Sequence, residues 1–165
     1  MTDDVVIENY VIPSVYRIDA PDVYLKDTGT AKGRGVFANR DFEKGEVVER
    51  CPVLLMPIPL QQLPEEVKSL LFSWRRLAGT PQIRHALALG FGSMYNHDNP
   101  ANMRYEAERY NQVLTFITVR RVAKDEELTI NYNAGGGGPA STNDNWFRRR
   151  NIKPLTTQRG NRNRN

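Results

Sequence analysis

Cysteine is nearly absent from this chain of 165 residues, and Cys51 is its single example. One thiol cannot close an internal disulfide or build the cysteine clusters that hold structural zinc, so the sequence predicts no structural metal and an intracellular setting, cytoplasmic or nuclear according to the host. Long apolar runs are missing too. Nothing approaches the roughly 18 residues of a membrane span, and Met1-Thr-Asp-Asp4 lacks the basic-then-apolar order of a secretion signal. Acid is absent from one end: all 19 Asp and Glu precede Arg148, while seven of the 23 Lys and Arg follow Phe147. The first 147 residues therefore carry 16 basic groups against 19 acidic ones, a net of −3, and the formal +4 of the whole chain belongs to its tail. A mildly acidic body suits a basic peptide better than a phosphate backbone, whereas the tail, 148–165, reads as a solvated, flexible end with weak access to nucleic acid.

What is present is a β-rich pattern. Val5-Val-Ile7, Val15-Tyr-Arg-Ile18, Val23-Tyr-Leu25, Val36-Phe-Ala38 and Glu46-Val-Val-Glu-Arg-Cys51 are short β-prone runs separated by turn residues. After Pro52 the character shifts. Pro57, Pro59 and Pro64 punctuate a loop, Leu63 to Trp74 has helical spacing, and Pro64-Glu-Glu66 suits a first helical turn. Residues 60–78 are therefore read as an inserted helical segment, with His85 to Leu89 resuming the core. Gly90-Phe-Gly-Ser-Met-Tyr95 reads as a buried strand breaking into a polar turn, Asn96-His-Asp-Asn-Pro100. Asn111 to Arg120 is a strong strand, and Val122 to Tyr132 a turn and strand. Gly135 to Gly138 reads as a flexible linker, and Trp146-Phe147 closes the body. No internal repeat is evident.

Three separated pieces then stand in order: Gly33-Arg-Gly-Val-Phe37, Tyr95-Asn-His97, and Glu127-Leu128 with Asn131-Tyr132. Together they resemble the SET-domain family of protein-lysine methyltransferases, in its small, zinc-free form. Asp41-Phe-Glu-Lys-Gly-Glu46 and Arg120 are similar to further parts of that pattern. The resemblance spans about residues 15–133. It implies a mostly β fold of several small curved sheets, with a C-terminal pseudoknot and a short helical insert at about 52–89. Residues 1–14 would be an N-terminal strand or extension, and 134–147 a glycine-rich linker and aromatic lid. It departs from the family in Asp98 after Asn96-His97, in the spacing of Pro100 and Asn102, and in Asn131 before Tyr132.

The activity so implied is transfer of a methyl group from S-adenosyl-L-methionine to a lysine amine in a basic, flexible protein or peptide segment. Tyr132 falls on the family's catalytic tyrosine. Gly33 and Gly35 would let backbone approach the cofactor, Arg34 or Lys32 would pair with its carboxylate, and Asn96 and His97 would hold its amino end and adenine. Trp146 and Phe147 would cap the adenine or the lysine channel, and Tyr95 and Tyr105 would wall that channel. Pairing with a second copy would be one way to complete the groove. Two other readings stay open here: a SET-like interaction module without catalysis, and a nucleic-acid binder resting on the last 18 residues alone.

Overall fold

The computed structural model describes residues 17–138 and 140–153. The run at Val5–Ile7, the extension 1–14, Val15 and Tyr16, and the tail from 154 to 165 lie outside the described residues. Arg17 and Ile18 are not in a strand. The rest is mostly β, in two curled sheets. The first contains β1 (Val23–Asp27), β2 (Arg34–Ala38), β6 (Asn96–His97) and β9 (Glu127–Ile130), in the order β1-β2-β9-β6. The second contains β3 (Val47–Met56), β4 (Leu71–Phe72), β5 (His85–Ala88), β7 (Met103–Glu108) and β8 (Val113–Thr118), in the order β4-β5-β3-β8-β7.

β3 explains why one strand reaches across the sheet. It continues five residues beyond the expected end at Cys51, passing through Pro52. A proline inside a sheet normally removes a ladder bond. Here Pro52 sits at a handover, because β8 pairs with Val47 to Pro52 and β5 takes over from Val53 to Met56. A bulge between Val47 and Glu49 turns both Val48 and Glu49 inward. That irregularity is what carries a carboxylate into the core.

Tertiary pairing overrides the helical spacing of the insert. Helix forms only as short turns, a 3-10 turn at Leu60–Gln62, α1 (Glu65–Lys68) and α2 (Trp74–Ala78), because Leu71 and Phe72 join the edge of β5 as β4. Phe72 sets its ring edge-on to Tyr105 and Phe116, at 5.1 and 6.0 Å. Trp74 is buried at 1% exposure. The stretch before Asn96, expected as a strand, is instead a turn and a 3-10 segment at Gly92–Met94, while Asn96-His97 itself forms the short parallel strand β6. β7 was not foreseen at all: its residues Met103-Arg-Tyr-Glu-Ala-Glu108 mix charge with apolar groups because only one face packs.

Two turns hold the sheets together. Phe42 and Val122, both fully buried, exchange both backbone hydrogen bonds at 2.9 Å. The segment after β9 runs between the 96–102 loop and β7. Asn99 donates to the Ser141 carbonyl at 2.7 Å, and Tyr105 N–H donates to the Gly136 carbonyl at 2.7 Å. This is the path a C-terminal pseudoknot requires. Residues 134–138 therefore form turns pinned to β7, with Gly136 and Gly137 at φ 77° and 66°.

Gly92 is packed closely on three sides by the core. A Cβ there would lie 2.7 Å from both Ala88 Cβ and Cys51 Sγ, and 2.9 Å from the Phe116 ring. Gly92→Ala is expected to lower unfolding stability by about 1–3 kcal/mol through overpacking, read as a lowered urea midpoint with an unchanged slope.

Candidate active site

Tyr132 follows β9 directly, and the register of that strand determines its surroundings. The parallel pairing of Asn96 with Thr129 and His97 with Ile130 brings β6 alongside. The Tyr132 N–H donates to His97 Nδ1 at 3.1 Å, and its hydroxyl donates to the Tyr95 carbonyl at 2.7 Å. Both contacts flank Asn96. Its ring meets His97 at 5.4 Å, Trp146 at 4.6 Å and Phe147 at 6.3 Å. The two C-terminal aromatics come from α3 (Asn145–Arg148), anchored by Trp146 N–H on the Asn133 side chain at 2.7 Å. Burial first, and the Glu127 carboxylate second, push the Tyr132 phenol up to about 12.

Tyr95 is held from behind. Its ring is fully buried against Phe116 at 4.8 Å, and its hydroxyl donates to Glu49 at 2.8 Å. Glu49 also accepts from Phe91 N–H at 2.9 Å. Its backbone carbonyl, not its ring, is thus what meets Tyr132. Tyr105 stands elsewhere on the same wall, edge-on to Phe72.

The glycine loop is organised by Glu127. That carboxylate accepts from the Asn96 amide at 2.9 Å and from Lys32 Nζ at 3.3 Å. The Asn96 amide also donates to the Arg34 carbonyl at 3.0 Å. The two glycines serve different needs. Gly33 has φ 72°, with open space where a Cβ would stand. At Gly35 a Cβ would lie 2.6 Å from Glu127 Oε1, so that space belongs to the carboxylate. Asn102, only 2% exposed, ties the same strand from the other side: it accepts from Thr129 N–H and donates to the Glu127 carbonyl, each at 2.8 Å.

His97 is neutral at physiological pH. Burial drives its imidazole down to about 4, Asp98 pulls the other way, and Lys32 adds to the fall. An unfolded histidine titrates near 6.5, so between pH 6.5 and 4 the unfolded chain takes up a proton that the folded one refuses. Stability is therefore lost as the pH falls through that window. Discounted for the imidazole's partial exposure, the loss is about 1–2 kcal/mol. NMR titration of the His97 ring checks this, and a midpoint at 6 or above would refute it.

A cavity of about 430 Å³ opens on the other side of Tyr132. Its walls are β4 and α2 of the insert, Tyr105, and the 133–150 segment. Of the residues singled out from sequence, Tyr95, Tyr105, Tyr132 and Trp146 line it. Lys32, Gly33, Arg34, Gly35, Asn96, His97 and Phe147 do not; they group behind Tyr132 instead. Tyr132 is the residue common to both sides. Sequence reasoning missed Glu49 and Asn102, which act through buried partners, and the cationic side chains Lys68, Arg76, Arg149 and Arg150 on the cavity wall. Two of these are the start of the supposed tail. Among the described residues no group of three or more His, Cys, Asp or Glu could hold a metal, and no helix is long and apolar enough to cross a membrane.

The sequence pattern of the SET domain matches residues 33–133. The histone-lysine N-methyltransferase, H3 lysine-37 specific, of Schizosaccharomyces pombe is 31% identical over 111 residues, which cover 66% of this chain and 71% of that protein. A Plasmodium falciparum chain described as a histone methyltransferase superposes with a TM-score of 0.55 at 24% identity, covering 70% of this chain and 95% of that one. The polycomb repressive complex 2 of Chaetomium thermophilum matches with a TM-score of 0.53 at 19% identity, over 73% of this chain and 16% of that one. At such identities the two structures speak to the fold alone.

Proposed function

Because the chain belongs to the SET-domain family, we propose that it transfers a methyl group to the side-chain amine of a lysine in a protein or peptide. The observation that carries this reading is the position of the Tyr132 hydroxyl, committed to the Tyr95 carbonyl at the wall of the cavity. S-adenosyl-L-methionine would supply the methyl on a sulfonium.

The residues behind Tyr132 suit such a cofactor. Gly33 leaves open space beside the loop, and Arg34 has no side-chain ion pair among the described residues, which leaves it for a carboxylate. Lys32 would have to share itself with Glu127. Asp98 N–H points to the Ile130 carbonyl, so alternation along β6 turns the His97 backbone toward the open edge of the sheet, where a purine edge would find a donor and an acceptor. Asn96 would hold the amino end, and Trp146 and Phe147 would cover the site.

Tyr132 acts as a positioning dipole. A phenol raised to about 12 is no base at neutral pH. Its proton is engaged with Tyr95, so its oxygen presents lone pairs that can accept an N–H from the incoming amine and aim the nitrogen lone pair. The amine must arrive neutral. Its proton goes to water as the stem enters among Phe72, Tyr105 and Trp146, where burial penalises the ammonium.

Calorimetry with S-adenosyl-L-methionine and transfer of labelled methyl to a mixed array of lysine peptides test the proposal together. Cofactor binding with methyl-lysine formation is the expected result. Binding without transfer to any lysine would leave an interaction module, and absence of both would end the reading.

A further inference from the structure

The cavity beside Tyr132 has a charge opposite to that of the body that surrounds it. Four cationic side chains line it, Lys68, Arg76, Arg149 and Arg150, and no aspartate or glutamate does. They come from two directions: Lys68 and Arg76 from the insert, Arg149 and Arg150 from the end of α3. Their existing engagements differ. Lys68 pairs with Glu65, whose own side chain is 83% exposed. Arg150 lies 4.1 Å over the Trp146 ring, and among the described residues its guanidinium donates to the carbonyls of Trp146 and Lys68, both at 3.4 Å. The Arg76 and Arg149 side chains are exposed and make no hydrogen bond or ion pair among the described residues. Burial first, then Arg149 beside it, lowers the Arg150 pKa, while Glu65 pulls the other way.

We infer that the groove leading to Tyr132 takes a lysine flanked by acidic residues, and that Arg76 and Arg149 select it by pairing with those flanks. This rests on the proposed lysine methyl transfer and deepens it. The expectation of a basic substrate came from the net −3 of residues 1–147, but a bound peptide responds most to the charges within about a Debye length, 8–10 Å, and the charged side chains that line this cavity are positive. Arginine is suited to the task, since its planar fork meets a carboxylate with two parallel hydrogen bonds. The same cations repel an ammonium and so favour the neutral amine the reaction needs. A lysine in a basic stretch would meet repulsion both at its flanks and at its own nitrogen. A nucleic acid fits the charge but brings no basic aliphatic amine to Tyr132.

The test is fluorescence anisotropy with three labelled peptides that share one central lysine and differ only in acidic, uncharged or basic flanks, using the full chain. The acidic peptide is expected to bind about tenfold tighter than the uncharged one, with the advantage fading as salt is raised. In Arg76→Glu/Arg149→Glu the order should reverse; both side chains are exposed and unpartnered, so the fold is not at stake. Equal binding of the three peptides, a preference for basic flanks, or an order unmoved by the double variant would overturn the inference. So would a single-stranded oligonucleotide that binds tighter than the acidic peptide and loses its hold in the double variant. Methyl transfer to the same peptides is scored separately. Acidic preference without transfer would retire the catalytic reading and leave the groove's selectivity standing.

Discussion

Tyr132→Phe is expected to lower kcat/KM for methyl transfer by about 100-fold or more, with most of the loss in kcat. One oxygen is removed, and it is the atom fixed by the Tyr95 carbonyl at 2.7 Å. Phenylalanine keeps the ring contacts with His97, Trp146 and Phe147, and the Tyr132 N–H to His97 is a backbone bond that the substitution does not touch. What disappears is the acceptor that aims the amine. The Tyr95 carbonyl loses a donor, so stability falls by about 1 kcal/mol, and rates should be compared well below the melting temperature. Initial rates on one lysine peptide at saturating cofactor check the result. A variant as fast as the parent would remove Tyr132 from the mechanism.

The second large effect is on folding. Asn102→Ala is expected to cost about 3–5 kcal/mol, because the Thr129 N–H and the Glu127 carbonyl are both left buried without a partner. Removing one partner from a satisfied buried network costs more than the net worth of the bond, since the orphaned group keeps its desolvation penalty. Total stability of a domain is about 5–15 kcal/mol, so the loss is a large share. Urea unfolding followed by tryptophan fluorescence measures it. β9 carries Tyr132 at its end, so transfer should fall as well even under conditions where the variant is folded. A loss below 1 kcal/mol would mean that water or a shift of the 99–102 loop satisfies both groups.

These two side chains show where reading residues in order succeeds and where it stops. Tyr132, Asn96, His97 and the Gly33–Gly35 loop were visible as an ordered set, and the fold brings them together. Asn102 carried no such signal, because its worth lies in two backbone partners 25 and 27 residues away. Glu49 was legible only as part of the strand run Glu46 to Cys51; a bulge in β3 turned it inward onto Tyr95. The inserted helical segment expected over residues 60–78 forms as separate short turns, because Leu71 and Phe72 gain more by extending a sheet than by joining them into one helix.

By itself the sequence determined the β-rich body, the absence of a disulfide frame, and the identities of the groups that converge on Tyr132. Those follow from residue type and local spacing, which the chain carries everywhere along its length. Only the tertiary structure decided which charges face the cavity. Net charge is a sum over the whole body, whereas a ligand responds to the few groups within screening distance, and it took the packing of α3 against the insert to bring Arg149 and Arg150 to the same wall as Lys68 and Arg76.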